Sequence, residues 1–539
     1  MKPLAAIFLL LLTTALAAPA AKATADDRPH IVMAFADDWG RYAGAYGQLE
    51  PGGINDVVRT PTFDAIAADG VLFTNAFVSA PSCTPCRSSL MSGRPFWQCG
   101  KASILSGAVW DFSLPAYPLI LRNDGYRIGQ SYKVWSPGRP NDAPHGGDAT
   151  GYEPAGQRFN RFSVHAMKNP DREAGKQSLF DEVRTNIRSF LDSDGDGQLD
   201  GDDPICYFYG PIITHRPWAA GSGKTLWGID PDTLRGRLPA YMPDTELVRQ
   251  DYADYLGEIY AFDRSLKILD EELKRVGIID NTLLVVSGDH GIPGISRGKC
   301  NLYPSGTQVP LAVRWPAKIQ TPGRVVTDFV SLPDLAPTFL DAAGSNIPND
   351  MIAKSIVPLL QSDQEGRIEP DRDRVHTGRE RHVESARPGN TPYPQRAIQT
   401  DQFLYIINFE PDRYPMGDGP DRDASPGEFP TADALIKDTR SAYADYDGSP
   451  TKAHLVELRD DYPLAFEYAF GKRPAEELYD IRTDEDCMTN LADDEDFQDV
   501  RQRLRKQLLD YLRQTGDPRV SDDVIFEEGF YVRDDRIDP

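Results

Sequence analysis

Short apolar runs punctuate the chain at near-regular intervals. His30 to Ala36 (HIVMAFA), Val71 to Val78, Tyr126 to Val134, Ile205 to Gly210 (ICYFYG), Asn281 to Ser287 (NTLLVVS) and Val309 to Trp315 have strand length and little polar interruption. Runs of this kind mark strands covered on both faces. Helical patterns lie between them. Thr60-Pro61 starts one through Ala68, Leu119 to Asn123 and Phe180 to Leu191 form others, and Asp244 to Val276 is the longest. Ser88 to Met91 predicts the start of a helix after a Pro-containing turn, and residues 136–160 predict loop. Strands alternating with helices predict an α/β fold. The pattern changes near residue 395. Phe403 to Phe409 predicts a strand, residues 411–450 an acidic Pro/Gly-rich loop, and Glu476 to Asp480 leads into a polar turn. Phe497, Val500, Leu504, Leu508 and Leu512 form one stripe of a terminal helix. The expected organisation is a large domain over 28–395 and a small α+β subdomain over 396–539.

Bulk composition narrows the class. A chain of 539 residues is too long for one ordinary core, which fits two domains. Hydrophobic residues at 40% and charged residues at 26% indicate a globular protein. The net charge of −24 argues against a nucleic-acid partner, which needs a basic footprint. Lys2, the apolar run Ala5 to Ala17 and the small residues that follow predict a signal peptide over 1–23, hence a secreted or periplasmic protein. That run is short for a bilayer span, and no later segment looks transmembrane. Six cysteines are too few for a disulfide-built scaffold.

Two strands end in acids: Asp37-Asp38, and Asp289-His290. Ligands of α/β sheets gather at such strand ends. Carboxylates with an imidazole suit a hard divalent ion, calcium before magnesium, although an Asp after a strand is also an ordinary turn or cap residue. Cys83-Thr84-Pro85-Cys86-Arg87, with Leu90 and Gly93 beyond, admits three readings: a nucleophile, a Cys-x-x-Cys redox pair, or a structural pair in a turn.

This segment resembles the signature of the sulfatase family, Cys-x-Pro-x-Arg followed by Leu and Gly. Further segments extend the resemblance over most of the chain: Arg28 to Trp39, Gly210 to Trp218, Ser287 to Gly291, Gly298 to Tyr303, Val309 to Pro316 and Glu477 to Asp480. The closest branch is the one containing heparan N-sulfatase and bacterial polysaccharide sulfatases. The resemblance implies an alkaline-phosphatase-like central mixed sheet flanked by helices, with a small C-terminal α+β subdomain. It implies that Cys83 is converted to formylglycine by a maturation enzyme, and that the hydrated aldehyde attacks sulfur with one hydroxyl and expels sulfate with the other. It implies a Ca2+ ion on Asp37, Asp38, Cys83, Asp289 and His290. Arg87 would hold the formylglycine hydroxyl, Lys133 and Lys299 would grip sulfate oxygens, and His215 would protonate the leaving oxygen. The family usually carries a histidine three residues after the first lysine, as base for sulfate release; Ser136 stands there, leaving water or a loop histidine such as His145 for that step.

Three further features invite readings. Asp192, Asp194, Asp196, Gln198, Asp200 and Asp203 have the spacing of a calcium loop, with Gly197 at its turn, so a second, structural Ca2+ is expected there. Gly221 to Thr225 looks like the tail of a P-loop but has Trp218 where the motif needs glycine, and is expected to be a flexible loop near the substrate mouth. Arg379, Glu380, His382, Arg387 and Arg396 form a basic and polar cluster suited to an acidic sugar. Trp39, Trp110 and Trp218 suit either sugar stacking or the core. The expected function is hydrolysis of sulfate esters on a sulfated polysaccharide or oligosaccharide, of glycosaminoglycan or marine type. The alternatives are a sulfamidase, an arylsulfatase, a phosphatase of the same fold, or an inactive calcium-dependent glycan-binding protein.

Overall fold

The computed structural model describes residues 28–521 and 526–527. The predicted signal peptide lies outside the described residues. The main sheet has seven strands: β1 (His30–Ala36), β2 (Val71–Phe73), β3 (Arg127–Tyr132), β4 (Ile205–Gly210), β5 (Thr282–Gly288), β6 (Leu311–Arg314) and β7 (Arg324–Val326). Their spatial order is β3-β4-β1-β5-β6-β2-β7. The first four run parallel, and β6 is antiparallel to both neighbours, so the sheet is mixed as expected.

The continuous apolar runs are explained by two covered faces. From β1, Val32, Ala34 and Ala36 join one core cluster, while Ile31, Met33 and Phe35 join another on the opposite face. The second cluster also takes Cys86, Leu90 and Met91 from α1 (Cys83–Ser92). The first takes α2 (Arg172–Leu191) and α3 (Glu246–Arg275). α1 begins at Cys83, five residues before the helical pattern predicted it, because Pro85 sits in the first turn, where its missing N–H costs nothing. The Val71 to Val78 run is broken into two pieces, with Ala76–Phe77 pairing elsewhere.

A second, antiparallel sheet has the order β8 (Arg374–Arg379), β9 (Gln395–Thr400), β10 (Phe403–Asn408), β11 (Glu476–Asp480). Its first strand lies upstream of residue 396, so the domain boundary expected there falls inside this sheet. α4 (Gln498–Gln514) covers it with Leu504, Leu508 and Leu512, the predicted stripe, against Ile398, Tyr405 and Leu478. Among the described residues, no helix is long and apolar enough to cross a membrane.

Candidate active site

Parallel pairing sets several strand ends side by side. Ala36 lies opposite Gly288, and Tyr132 opposite Gly210. The residues just beyond therefore meet over one sheet edge: Asp37 and Asp38 after β1, Lys133 after β3, Thr214 and His215 after β4, Asp289 and His290 after β5. α1 brings Cys83 and Arg87 to the same place, one turn apart. Close backbone approach makes this possible. A Cβ on Gly288 would lie 2.0 Å from the Trp39 carbonyl, and one on Gly210 would lie 1.9 Å from that of Lys133. Asp38 adopts a left-handed conformation (φ 59°), which aims its N–H at Asp289 Oδ1, 2.7 Å away.

Arg87 is the hub. Its Nε donates to Asp289 Oδ2 (2.9 Å), Nη2 to Asp37 Oδ1 (3.1 Å), and Nη1 to the Lys133 and Val134 carbonyls (3.1 Å each). One buried guanidinium thus ties three strand ends together. Lys133 Nζ donates to Asp37 Oδ1 at 2.6 Å, and Lys299 Nζ to Asp38 Oδ2 at 3.0 Å. His290 Nδ1 donates to the Gly291 carbonyl (3.2 Å), which leaves Nε2 with its lone pair 3.2 Å from Asp38 Oδ1 and 3.3 Å from Cys83 Sγ. His215 Nδ1 likewise donates to the Arg216 carbonyl (2.7 Å), and its Nε2 lies 3.8 Å from Asp38 Oδ2.

The charges are strongly perturbed. Burial opposes ionisation of Asp37, but Lys133 and Arg87 outweigh it and hold the carboxyl well below its usual range. Burial and then the Asp37 charge push Asp289 up to about 6. Burial brings His290 down to about 4, so the imidazole is neutral at physiological pH. Burial, followed by Asp37, pushes the Cys83 thiol well above its usual range, so it is protonated rather than a thiolate. Cys86 behaves alike, and all six cysteines are free and buried, which leaves the redox-pair reading without support.

This donor set fits a divalent cation. Ligand atoms of Asp38, Cys83 and His290 lie within 4.8 Å of one another, as do those of Asp37, Cys83 and Asp289, and of Asp37, Asp38 and His215. Asp289 is raised by burial first and by the neighbouring Asp37 charge second, so the carboxylates crowd one another. A neutral imidazole donating its other N–H to a carbonyl has the arrangement of a metal ligand.

The other expected residues fall elsewhere. Arg379 and Arg387 both donate to Asp445 Oδ2 (2.6 and 2.7 Å), and Arg396 lies between Glu380 (2.8 Å) and Asp517 (2.5 Å), all buried. These arginines face partner carboxylates rather than an opening. His382 does adjoin the cluster: its Nδ1 is 2.8 Å from the hydroxyl of Ser82, next to Cys83. His145 is buried beside Thr150 and Phe208, and burial holds it down at about 3. Trp39 packs against Phe63 and Phe262, Trp110 against Trp135, and Trp218 beneath the Arg216 guanidinium. Gly221 to Thr225 is not a loose loop. Ser222–Trp227 is a short helix docked on α3 through Asp254, which accepts from the Gly221 and Gly223 N–H groups.

In the acidic loop after α2, ligand oxygens of Asp192, Asp194 and Asp200 converge within 4.8 Å. Asp192 Oδ1 is buried without a hydrogen-bond partner, while Oδ2 accepts from Gly197 N (3.1 Å) and from Arg275. Asp196 accepts from the Gln198 N–H (2.8 Å), and neither Asp196 nor Asp203 joins the converging group.

Three residues without a sequence signal also shape the site. Thr214 donates to the Asp37 carbonyl, Tyr255 donates to that of Asp38 (2.9 Å), and Asp447 lies 3.4 Å from Lys299 Nζ. Thr214 and Tyr255 act on backbone, which leaves no motif. Asp447 sits in the featureless loop before residue 450.

Strand-end carboxylates, three cations and an open imidazole thus surround one buried cysteine. The family profile described as "Sulfatase" matches residues 29–345, more than half of the chain. The chain therefore belongs to the sulfatase family, hydrolases of sulfuric esters. It is 28% identical over 529 residues to human N-sulphoglucosamine sulphohydrolase, an alignment covering 92% of each chain. It is 24% identical to an ulvan-active sulfatase of Formosa agariphila, covering 91% of this chain and 81% of that one. Its fold also matches a solved structure in complex with its substrate D-glucosamine-2-N,6-O-disulfate. There the TM-score is 0.57, the identity 16%, and the coverage 91% of this chain and 98% of the other.

Proposed function

We propose that this chain, once exported, hydrolyses sulfate esters on a sulfated polysaccharide or oligosaccharide. Formylglycine made from Cys83 is the nucleophile, and calcium is the ion at Asp37, Asp38, Asp289 and His290. The observation that carries this reading is the convergence of those four side chains on Cys83, with Arg87, Lys133, Lys299 and His215 around them. The leader pattern at the N-terminus supports export, and the glycan substrates in the names of the relatives support the substrate class.

Calcium, when bound, polarises the sulfate and offsets its charge. Conversion of Cys83 supplies the hydrated carbon that a protonated, buried thiol cannot replace. The rest falls to the chain's own side chains. Arg87 fixes the strand ends and steadies the oxygen at position 83. Lys133 and Lys299 hold sulfate oxygens with ammonium groups already aimed into the cluster. His215, the most open member, carries the proton for the leaving oxygen. With Ser136 in place of the usual base, His145 buried elsewhere and His290 among the metal ligands, His215 is also the imidazole left for sulfate release.

A second calcium ion, with a structural role, is assigned to Asp192, Asp194 and Asp200, on the strength of the unpartnered Asp192 Oδ1. A competing reading of the substrate, cleavage of N-linked sulfate, is favoured by the 28% identity to a human N-sulphoglucosamine sulphohydrolase. Sulfate release from O-sulfated and N-sulfated oligosaccharides separates the two. The matured protein is expected to release sulfate from O-sulfated sugars, and chelation of calcium to stop it until calcium is restored. Release from N-sulfated sugars alone would select the second reading; no release from either, with residue 83 converted, would remove both.

A further inference from the structure

The opening of the catalytic cluster is asymmetric. Most of its side chains are sealed: those of Asp37, Asp38, Arg87, Asp289, His290 and Lys299 are at most 3% exposed. His215 (30%), Asp447 (14%) and Lys133 (10%) reach solvent. An entering sulfate thus meets an imidazole, an ammonium and one carboxylate. A carboxylate is the wrong charge for gripping sulfate, and none of the steps above uses it.

Asp447 is held in place by an unusual amount of structure. Two residues upstream, Asp445 is clamped by Arg379 and Arg387 and also accepts from the Val383 N–H (3.1 Å). Two residues downstream, the Ser449 hydroxyl donates to the Gly294 carbonyl (2.8 Å). The buried Lys452 ammonium donates to the carbonyls of Thr439, Tyr443 and Tyr446 (3.2, 3.2 and 2.8 Å). The arginines expected to bind sugar thus brace the loop that carries Asp447. One oxygen of Asp447, Oδ2, is buried with no hydrogen-bond partner and is ion-paired to Lys299 at 3.4 Å. Lys299, His215 and nearby His382 and Arg216 outweigh burial and keep it ionised.

We infer that Asp447 is a specificity residue that accepts a hydrogen bond from a hydroxyl or ammonium group on the sugar carbon next to the sulfate, and repels a second anionic group there. Lys299, shared between Asp38 and Asp447, links the two recognitions: the same ammonium that holds the sulfate keeps the neighbouring acceptor charged. A largely buried carboxylate that lacks a hydrogen-bond partner on one oxygen favours a ligand that supplies a donor, and its charge penalises a second anion beside it. The preferred unit therefore carries one sulfate beside a free donor, and a vicinal disulfate is a poor substrate. This inference rests on the sulfated-glycan reading.

The test is kinetic, on the matured calcium-loaded protein and its Asp447→Asn and Asp447→Glu variants. The probes are methyl glucopyranoside 2-, 3- and 4-monosulfates, the 2,3- and 3,4-disulfates, and 4-nitrophenyl sulfate, which has no neighbouring donor. The wild type is expected to prefer its best monosulfate over the corresponding disulfate by ~10-fold or more in kcat/KM, as loss of a charged hydrogen bond implies. Asp447→Asn is expected to erase that preference and to lower the sugar-to-aryl ratio of kcat/KM, mainly through KM. Asp447→Glu, which keeps the charge, is expected to retain the rejection of disulfate. Equal losses on sugar and aryl esters, or an undiminished preference in Asp447→Asn, would overturn the role of Asp447 and leave the glycan reading standing. Wild-type turnover of the aryl ester alone would remove the glycan reading and this inference with it.

Discussion

At the scale of single residues, burial decides what each polar group can do. Arg87 is sealed, yet every polar atom of its guanidinium has a partner, which is why a buried charge is tolerated there. Glu258, one turn after Tyr255 on α3, is the contrasting case. Its Oε2 is buried without a partner, and burial pushes its carboxyl up to about 8 against contacts from Ser163 and Arg161 that favour ionisation. Between its ordinary value of 4.5 and about 8, the folded state holds a proton that the unfolded chain has released. Stability from this group is therefore complete at low pH and is lost as pH rises through that window. Glu258→Gln is expected to melt with the wild type below the window and several degrees higher above it. Parallel melting curves across pH for the two proteins would refute this.

At the scale of elements, what was legible in the sequence was what rests on local pattern. The apolar runs gave the strands because both faces of the sheet are covered, and Asp37-Asp38 and Asp289-His290 stood out because they end such runs. Arg379, Arg387 and Arg396 were legible as a basic cluster, but sequence does not say which carboxylates face them; Asp445, Asp517 and Glu380 do. Asp447 was invisible for the same reason, since its significance comes from Lys299, far away in the chain. The acidic loop between α2 and β4 shows a motif only partly realised: Asp192, Asp194 and Asp200 converge, while Asp196 caps its own turn. Calcium binding there predicts that Asp194→Ala/Asp200→Ala loses the part of the calcium-induced rise in melting temperature that a catalytic-site variant, Asp38→Asn, retains. An identical calcium response in wild type and the double variant would remove the second ion.

At the scale of the whole molecule, the small sheet is bound to the large one by buried polar contacts as well as by apolar packing. Arg396 on β9, held by Glu380 and Asp517 within the small-sheet layer, lies over the Phe96 and Trp97 rings beyond α1, and Trp97 Nε1 donates to the Thr515 hydroxyl (3.1 Å) after α4. Asp517→Ala leaves Arg396 half-compensated in a sealed site, so a loss of ~3–5 kcal/mol is expected, read as a large fall in melting temperature. An unchanged melting temperature would show that the contact is dispensable. All of this packing serves to hold one buried residue, Cys83, under three carboxylates and an imidazole. As a thiol it is protonated, so the proposed function requires a working protein that does not carry a cysteine there. The direct measurement is the mass of the tryptic peptide containing residue 83, from protein produced in a host with an active sulfatase-maturation system. A loss matching conversion of the thiol to an aldehyde is the result predicted; an intact cysteine in a preparation that nonetheless releases sulfate would contradict the account.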